Sequence, residues 1–269
     1  MPPLKNNYQN VLNPTFKKYA CFFLLLSTFP VFAQTVKVDS LSQNDSIKIN
    51  NDLKFNYKSL IIPSTLITFG AIGIESDGLK TLNSEIQEEI TEHIDKKFTI
   101  DDISQYAPFA SVYALNLFGV EGKHNFKDRT IILGTAYILM GASVNGLKKI
   151  TRVQRPDGTS RNSFPSGHTA TAFMGAEFLY QEYKDVSVWY GVTGYVVATG
   201  TGLFRMYNNR HWLTDVAAGA GIGILSTKIA YWLHPVLKEK VFKNKESLDG
   251  VVAPFYNDGA YGLSMSFQF

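Results

Sequence analysis

The chain has 269 residues, room for one domain or at most two, and enough to bury a sizeable core. Its 26 Lys+Arg against 23 Asp+Glu leave a formal charge of +3, which argues against a dedicated nucleic-acid binder, whose usual footprint is a dense basic patch or stripe. With 18% charged residues, 45% hydrophobic residues and 21 glycines, neither a disordered chain nor a solvent-facing coiled coil fits, and the single cysteine, Cys21, excludes an intrachain disulfide framework or a Cys-rich zinc site.

Residues 1–33 read as a secretory signal peptide. Lys17-Lys18 precede an apolar run, Tyr19–Pro30, and Val31-Phe32-Ala33 close it, so cleavage is expected after Ala33. The run is short for a span of ~20 residues. Cys21 lies inside it and would leave with it, so it is not placed as a lipoprotein cysteine. Residues 34–58 are rich in Asn, Ser, Asp and Lys and read as a polar linker.

Six apolar stretches follow: Ser59–Ile74, Tyr106–Val120, Thr130–Leu147, Thr169–Tyr180, Val186–Phe204 and Val216–Leu233. Ala, Leu, Gly and Ile dominate and strict alternation is absent, which predicts helices. Gly134, Gly141 and Gly146 in the third, and Gly219, Gly221 and Gly223 in the sixth, suit close helix packing. An amphipathic stretch, about Asn83–Lys96, separates the first two. The expected fold is all-α, a six-helix bundle over residues 59–240. In the tail, 241–269, Val251–Tyr256, the turn signal Asn257-Asp258-Gly259 and alternating Tyr261, Leu263, Met265, Phe267 and Phe269 predict a short β-hairpin. Two strands cannot close a barrel, so the hairpin is expected to pack on the helices or on a partner.

Three clusters at the ends of apolar helices concentrate the reactive residues: Lys148 with Arg152 and Arg155-Pro156; Phe164-Pro165-Ser166-Gly167-His168; and Arg205, His211 and Asp215. Lys148, Arg155 and Arg205 are a point charge and two forks that match phosphate oxygens. Pro165 suits the first position of a helix, after which Ser166 and Gly167 would offer N–H groups at its positive end. His211 and Asp215, four apart, share a helix face; a carboxylate on Nδ1 would leave Nε2 with a lone pair, as a nucleophilic or basic imidazole needs. His168 is a second imidazole, and a neighbouring phosphate would favour its protonated form, suiting a general acid. Singly these signals are weak: a helical His–Asp pair is commonly structural, and Ser-Gly-His is a common tripeptide. The joint order and spacing are specific.

That set, Lys148-x6-Arg155-Pro156, Pro165-Ser166-Gly167-His168 and Arg205-x5-His211-x3-Asp215, resembles the three-part signature of the type 2 phosphatidic acid phosphatase (PAP2) superfamily, which also holds bacterial acid phosphatases, undecaprenyl-diphosphate and lipid A phosphatases and vanadium haloperoxidases. The resemblance covers about residues 55–235. It implies that His211 attacks phosphorus to form a phosphohistidine, that Asp215 orients it and that His168 protonates the leaving group. It further implies that Lys148, Arg155, Ser166, Gly167 and Arg205 hold the phosphate, with no metal or cofactor. Two departures stand out: Phe204 replaces the Ser common before the third-motif Arg, and only Asp157–Phe164 separate the first two motifs, which predicts an open mouth suited to a lipid-borne substrate.

The implied function is hydrolysis of phosphate monoesters or diphosphates on a lipid, with a periplasmic acid phosphatase for soluble substrates and a vanadate-bound haloperoxidase as the other readings. The expected partner is a phosphorylated lipid, not nucleic acid, with membrane association. A signal peptide and a Phe-ended tail point to the envelope of a Gram-negative bacterium. Lys123, Lys127 and Arg129, together with Lys238, Lys240, Lys243 and Lys245, lie opposite the catalytic end, which suits a site facing the periplasm if the bundle spans. His93, His124 and His234 fall outside the motifs and read as surface or helix-end residues.

Overall fold

The computed structural model describes residues 57–92, 99–242, 249–257 and 260–268. The proposed signal peptide, nearly all of the linker and His93 lie outside these residues. Each of the six apolar stretches lies within or overlaps a helix. A 3-10 turn, Tyr57–Leu60, leads into α1 (Ile61–Glu75), and the others are α4 (Ala107–Leu117), α5 (Phe126–Thr151), α6 (Gly167–Tyr183), α7 (Val188–Tyr207) and α8 (Leu213–Phe242). Two further helices raise the number among the described residues to eight, against the six expected: α2 (Asp77–Thr91) and the five-residue α3 (Ile100–Ser104). The amphipathic pattern placed a helix near Asn83, but Ser76 starts it earlier, its hydroxyl accepting from the Leu79 N–H as an N-cap. Asn125 caps α5 in the same way, accepting from the Asp128 N–H at 2.9 Å.

Helix α6 is the hub, packed against α4, α5, α7 and α8, while α8 also packs against α1 and α5. Phe178 and Met174 of α6 meet Val112 of α4, Ile132 and Met140 of α5 and Ile222 of α8 in the main core. Helix α8 approaches its neighbours through bare backbone. A Cβ on Gly219 would sit 2.4 Å from the Ser166 carbonyl oxygen and one on Gly223 2.3 Å from that of Ala170, both toward α6. A Cβ on Gly221, pointing to α1, would be 2.6 Å from the Pro63 oxygen. The glycines of α5 behave otherwise: a Cβ on Gly134, Gly141 or Gly146 meets nothing within 4 Å, so the close packing expected there does not occur.

Among the described residues, three helices are long and apolar enough to cross a membrane: Tyr57–Glu75, Phe126–Thr151 and Leu213–Glu239. The first reaches 19 residues because the 3-10 turn extends the stretch that began at Ser59. The lysine-rich segment before the third stretch is partly structural. Arg129 lies inside α5, 1% exposed, and donates to the His124 carbonyl at 2.7 Å beside the buried Glu182. His124 and His234 are not simple surface residues either. His124 Nδ1 pairs with Glu182 at 2.7 Å, and His234 is buried mid-helix, its ring 5.4 Å from that of His124. At the C-terminus the backbone forms strands β1 (Asp249–Asn257) and β2 (Ala260–Gln268), antiparallel with Val252 opposite Met265.

Candidate active site

The three motif clusters meet at one end of the bundle, each carried by a helix terminus. The last turn of α5 carries Lys148, and the chain leaves the helix through Arg152 in the left-handed region (φ 48°). Lys148 Nζ donates to the carbonyls of Asn162 and Ser163, drawing the short insert back across the helix end. A turn in which the Gly158 N–H bonds the Arg155 carbonyl folds the intervening loop, and Arg210 Nη1 ties it to the third motif through Asp157 at 3.1 Å. Trp212 Nε1 adds a bond to the Gln154 carbonyl at 2.9 Å.

The second motif opens α6, two residues later than the sequence indicated. Ser166 rather than Pro165 is the boundary residue, occupying the N-cap, and Gly167 is the first helical position. The Ser166 N–H is spent on the Asp215 carbonyl at 3.0 Å and its buried hydroxyl pairs with Thr169 Oγ1 at 2.9 Å. The donors left for an anion are therefore the first-turn N–H groups of Gly167 and His168, where the helix carries its positive end.

His211 and Asp215 do not share a helix face as expected. His211 lies in the loop before α8, and Asp215 sits in the first turn, its carboxylate accepting from the Trp212 N–H at 2.9 Å as in a capping box. The direct separation from His211 Nδ1 to Asp215 Oδ2 is 3.6 Å. Ser163 spans the gap: its hydroxyl donates to Asp215 Oδ2 and lies 3.4 Å from His211 Nδ1. The relay places an acceptor beside Nδ1–H and leaves Nε2 as the lone pair. Burial pushes the His211 imidazole down to about 4, against the pull of Asp215, so the ring is neutral near pH 7.

The cations crowd this ring. The charges of Lys148 and Arg205 both act on His211, and burial together with the Arg205 and Arg210 guanidiniums draws Arg155 below the usual arginine range. The Nε atoms of Arg155 and Arg205 are buried without a hydrogen-bond partner. Such crowding of positive charge is costly alone and is relieved by an anion.

Three contributors were invisible in the motif reading. Asp101 on α3 is buried and holds Arg205 Nη1 through Oδ2, while its Oδ1 accepts from Asn208 Nδ2 at 2.8 Å. Asp102 lies 2.8 Å from His168 Nε2. Ser163 is the third. Neither α3 nor the insert carries periodicity or a family signature; an acidic pair at a helix start was the only signal available. Asp101, Asp102 and His168 bring three donor atoms within 4.8 Å of one another, the one metal-like cluster among the described residues, but Asp101 already faces a guanidinium there. Burial and Arg205 disfavour the charged form of His168 and Asp102 opposes them, so the protein alone works against the protonation expected beside phosphate. The short insert does not open the mouth at the ring: His211 is 1% exposed, because the insert is folded over it by Lys148 and Ser163.

Residues 129–239, which contain all eight predicted site positions, match the PAP2 superfamily model. The likeness to the PAP2 superfamily rests on this segment. A lipid A 1-phosphatase of Porphyromonas gingivalis is 43% identical over 141 residues, 51% of this chain and 31% of that protein. The bacitracin transport permease protein BcrC of Bacillus licheniformis is 37% identical over 76 residues, 28% of this chain and 36% of that one. The chain thus spans about a third of the length of these curated relatives. Among solved structures, Aquifex aeolicus LpxE is 25% identical with a TM-score of 0.43, covering 56% of this chain and 94% of that one. A transmembrane PAP2-type phosphatidylglycerolphosphate phosphatase from Bacillus subtilis is 19% identical with a TM-score of 0.40, covering 68% and 99%.

Proposed function

We propose that the protein is a PAP2 phosphatase that hydrolyses a phosphate monoester or diphosphate on a lipid through a phosphohistidine at His211, with its site on the periplasmic side of the envelope. The observation that carries this reading is a neutral, buried imidazole among three cations, two of which have unpartnered buried Nε atoms. His211 Nε2 attacks phosphorus as the bond to the leaving oxygen breaks, and His168 gives that oxygen its proton. Ser163 and Asp215 steady the imidazolium side of His211. Lys148, Arg155 and Arg205, with the N–H groups opening α6, hold the phosphoryl oxygens; this fixed positive field is the largest expected contribution to lowering the barrier. A water then cleaves the N–P bond and returns a proton to His168.

Three membrane-length apolar helices favour a lipid over a soluble substrate, and the lipid A 1-phosphatase relative supports the same class. Phosphate release is measured with phosphatidate, undecaprenyl diphosphate, lipid A and p-nitrophenyl phosphate, with and without detergent. Lipid substrates should be preferred in detergent and every activity should vanish in His211→Ala. Normal turnover by that variant refutes the mechanism, and a detergent-independent preference for the soluble ester refutes the lipid assignment.

A further inference from the structure

Acid catalysis through His168 depends on how its ring is held, and within the described structure a residue outside the three motifs holds it. Asp102 Oδ1 lies 2.8 Å from His168 Nε2. Its carrier, α3, packs on α6 and α7 and is pinned to α7 on both sides of Asp102. Asp101 binds Arg205 and Asn208, and the Ser104 hydroxyl meets that of Thr201 at 2.8 Å. A helix of five residues has little stability of its own, so these ties fix where the Asp102 carboxylate sits.

We propose that Asp102 is the positioning residue for the general acid: it takes the Nε2–H of His168 and thereby turns Nδ1 toward the leaving oxygen. The inference rests on the phosphatase reading for its catalytic consequence, not for its geometry. The charged ring enters the reaction with Nε2–H on Asp102 and Nδ1–H on the leaving oxygen. As the P–O bond breaks the Nδ1 proton passes to that oxygen, leaving the neutral Nε2–H tautomer. The water that attacks the phosphohistidine returns a proton to Nδ1, and Asp102 stays ionised throughout.

The groups facing this ring are Asp101 and Asp102 from α3 and Arg205 from α7. Burial and Arg205 disfavour the charged ring, and Asp102 is the principal counterweight. Asp102 also lies 3.8 Å from Arg205 Nη1, so an effect through phosphate binding has to be told apart from one through His168.

The test uses the full chain in detergent micelles with Asp102→Asn, Asp102→Glu and two soluble esters, dinitrophenyl phosphate, whose leaving group needs no proton, and phenyl phosphate, whose leaving group does. In Asp102→Asn the kcat for phenyl phosphate should fall ~10–100-fold more than that for the dinitrophenyl ester, less than the ~10²–10⁴-fold that positioned proton transfer contributes, because the variant misplaces the acid without removing it. The basic limb of its kcat profile should move to lower pH, and Asp102→Glu should recover part of the loss. An equal loss on both esters, or a rise in KM with the ratio unchanged, overturns the proposal and assigns Asp102 to Arg205. The tautomer is read independently of turnover from ¹⁵N-histidine NMR. The neutral ring of His168 should carry its proton on Nε2 in wild type and lose that preference in Asp102→Asn. A ring protonated on Nδ1 in wild type overturns the proposal whatever the enzyme hydrolyses.

Discussion

Replacing Asp101 by alanine removes the nearer, buried counter-charge of the Arg205 guanidinium and leaves only the half-exposed Asp102, 3.8 Å from Nη1. The Asp101 side chain is 1% exposed and that of Arg205 9%, and the Arg205 Nε already lacks a partner. Breaking a buried pair by deleting one member costs about 3–5 kcal/mol, because the remaining charge stays desolvated. For a unit of this size, residues 52–269, each kcal/mol moves the midpoint by about 2–4 °C, so Asp101→Ala should unfold roughly 6–20 °C lower. Asp101→Asn keeps the shape and an oxygen for Asn208 and isolates the charge, so it should fall between wild type and alanine. The control is Lys80→Ala, which breaks the exposed 3.6 Å pair with Asp77 and should leave the midpoint within assay error. Thermal unfolding of detergent-solubilised protein, followed by tryptophan fluorescence, reads all three. A loss below about 3 °C for Asp101→Ala, or one equal to that of Lys80→Ala, would refute the picture of Arg205 as a buried cation dependent on α3.

Stability should fall as the solution is acidified from about 6.5 to about 4, because the unfolded His211 ring takes a proton across that window while the buried one resists it. The full effect of this ring is on the order of 3 kcal/mol, and His168, shifted the same way, adds to it. In His211→Gln the slope in denaturant titrations should shrink, and an unchanged slope would mean that the ring is not held neutral. Gly219→Ala should destabilise by about 1–3 kcal/mol or more and depress activity, since its Cβ would meet the Ser166 carbonyl oxygen at 2.4 Å. Gly200→Ala, whose Cβ meets nothing within 4 Å, should gain up to about 1 kcal/mol of helix propensity; the reverse order of midpoints would contradict the close seam between α6 and α8.

The six apolar stretches announced their helices because their runs of Ala, Leu, Ile and Gly continue over exposed faces as well as buried ones, as Ile62 of α1 and Ile138 of α5 show, and the motif residues suggested a phosphate site because few side chains suit one. What periodicity could not show is partnership. Gly219 and Gly223 serve a seam while Gly134 and Gly141 serve none, although all four look alike in the chain. The capping role of Asp215 and the interposed Ser163 depend on where α8 begins, at Leu213, two residues after His211. Asp101 and Asp102 lie outside residues 129–239, on a helix too short to give a period, so their link to Arg205 and His168 is a product of tertiary folding alone.

The seam between α1 and α8 has a practical corollary. A Cβ on Gly73 would come within 2.4 Å of Thr214 Cγ2 and one on Gly70 within 2.6 Å of the Thr214 oxygen, so the first helix lies flush against the residue preceding Asp215. Asn83 of α2 clasps the same Thr214, donating from Nδ2 to its hydroxyl at 2.9 Å. Trimming the protein to residues 129–239 would strip this buttress from behind the Asp215 carboxylate, leaving every motif residue in the chain but the platform beneath them unsupported.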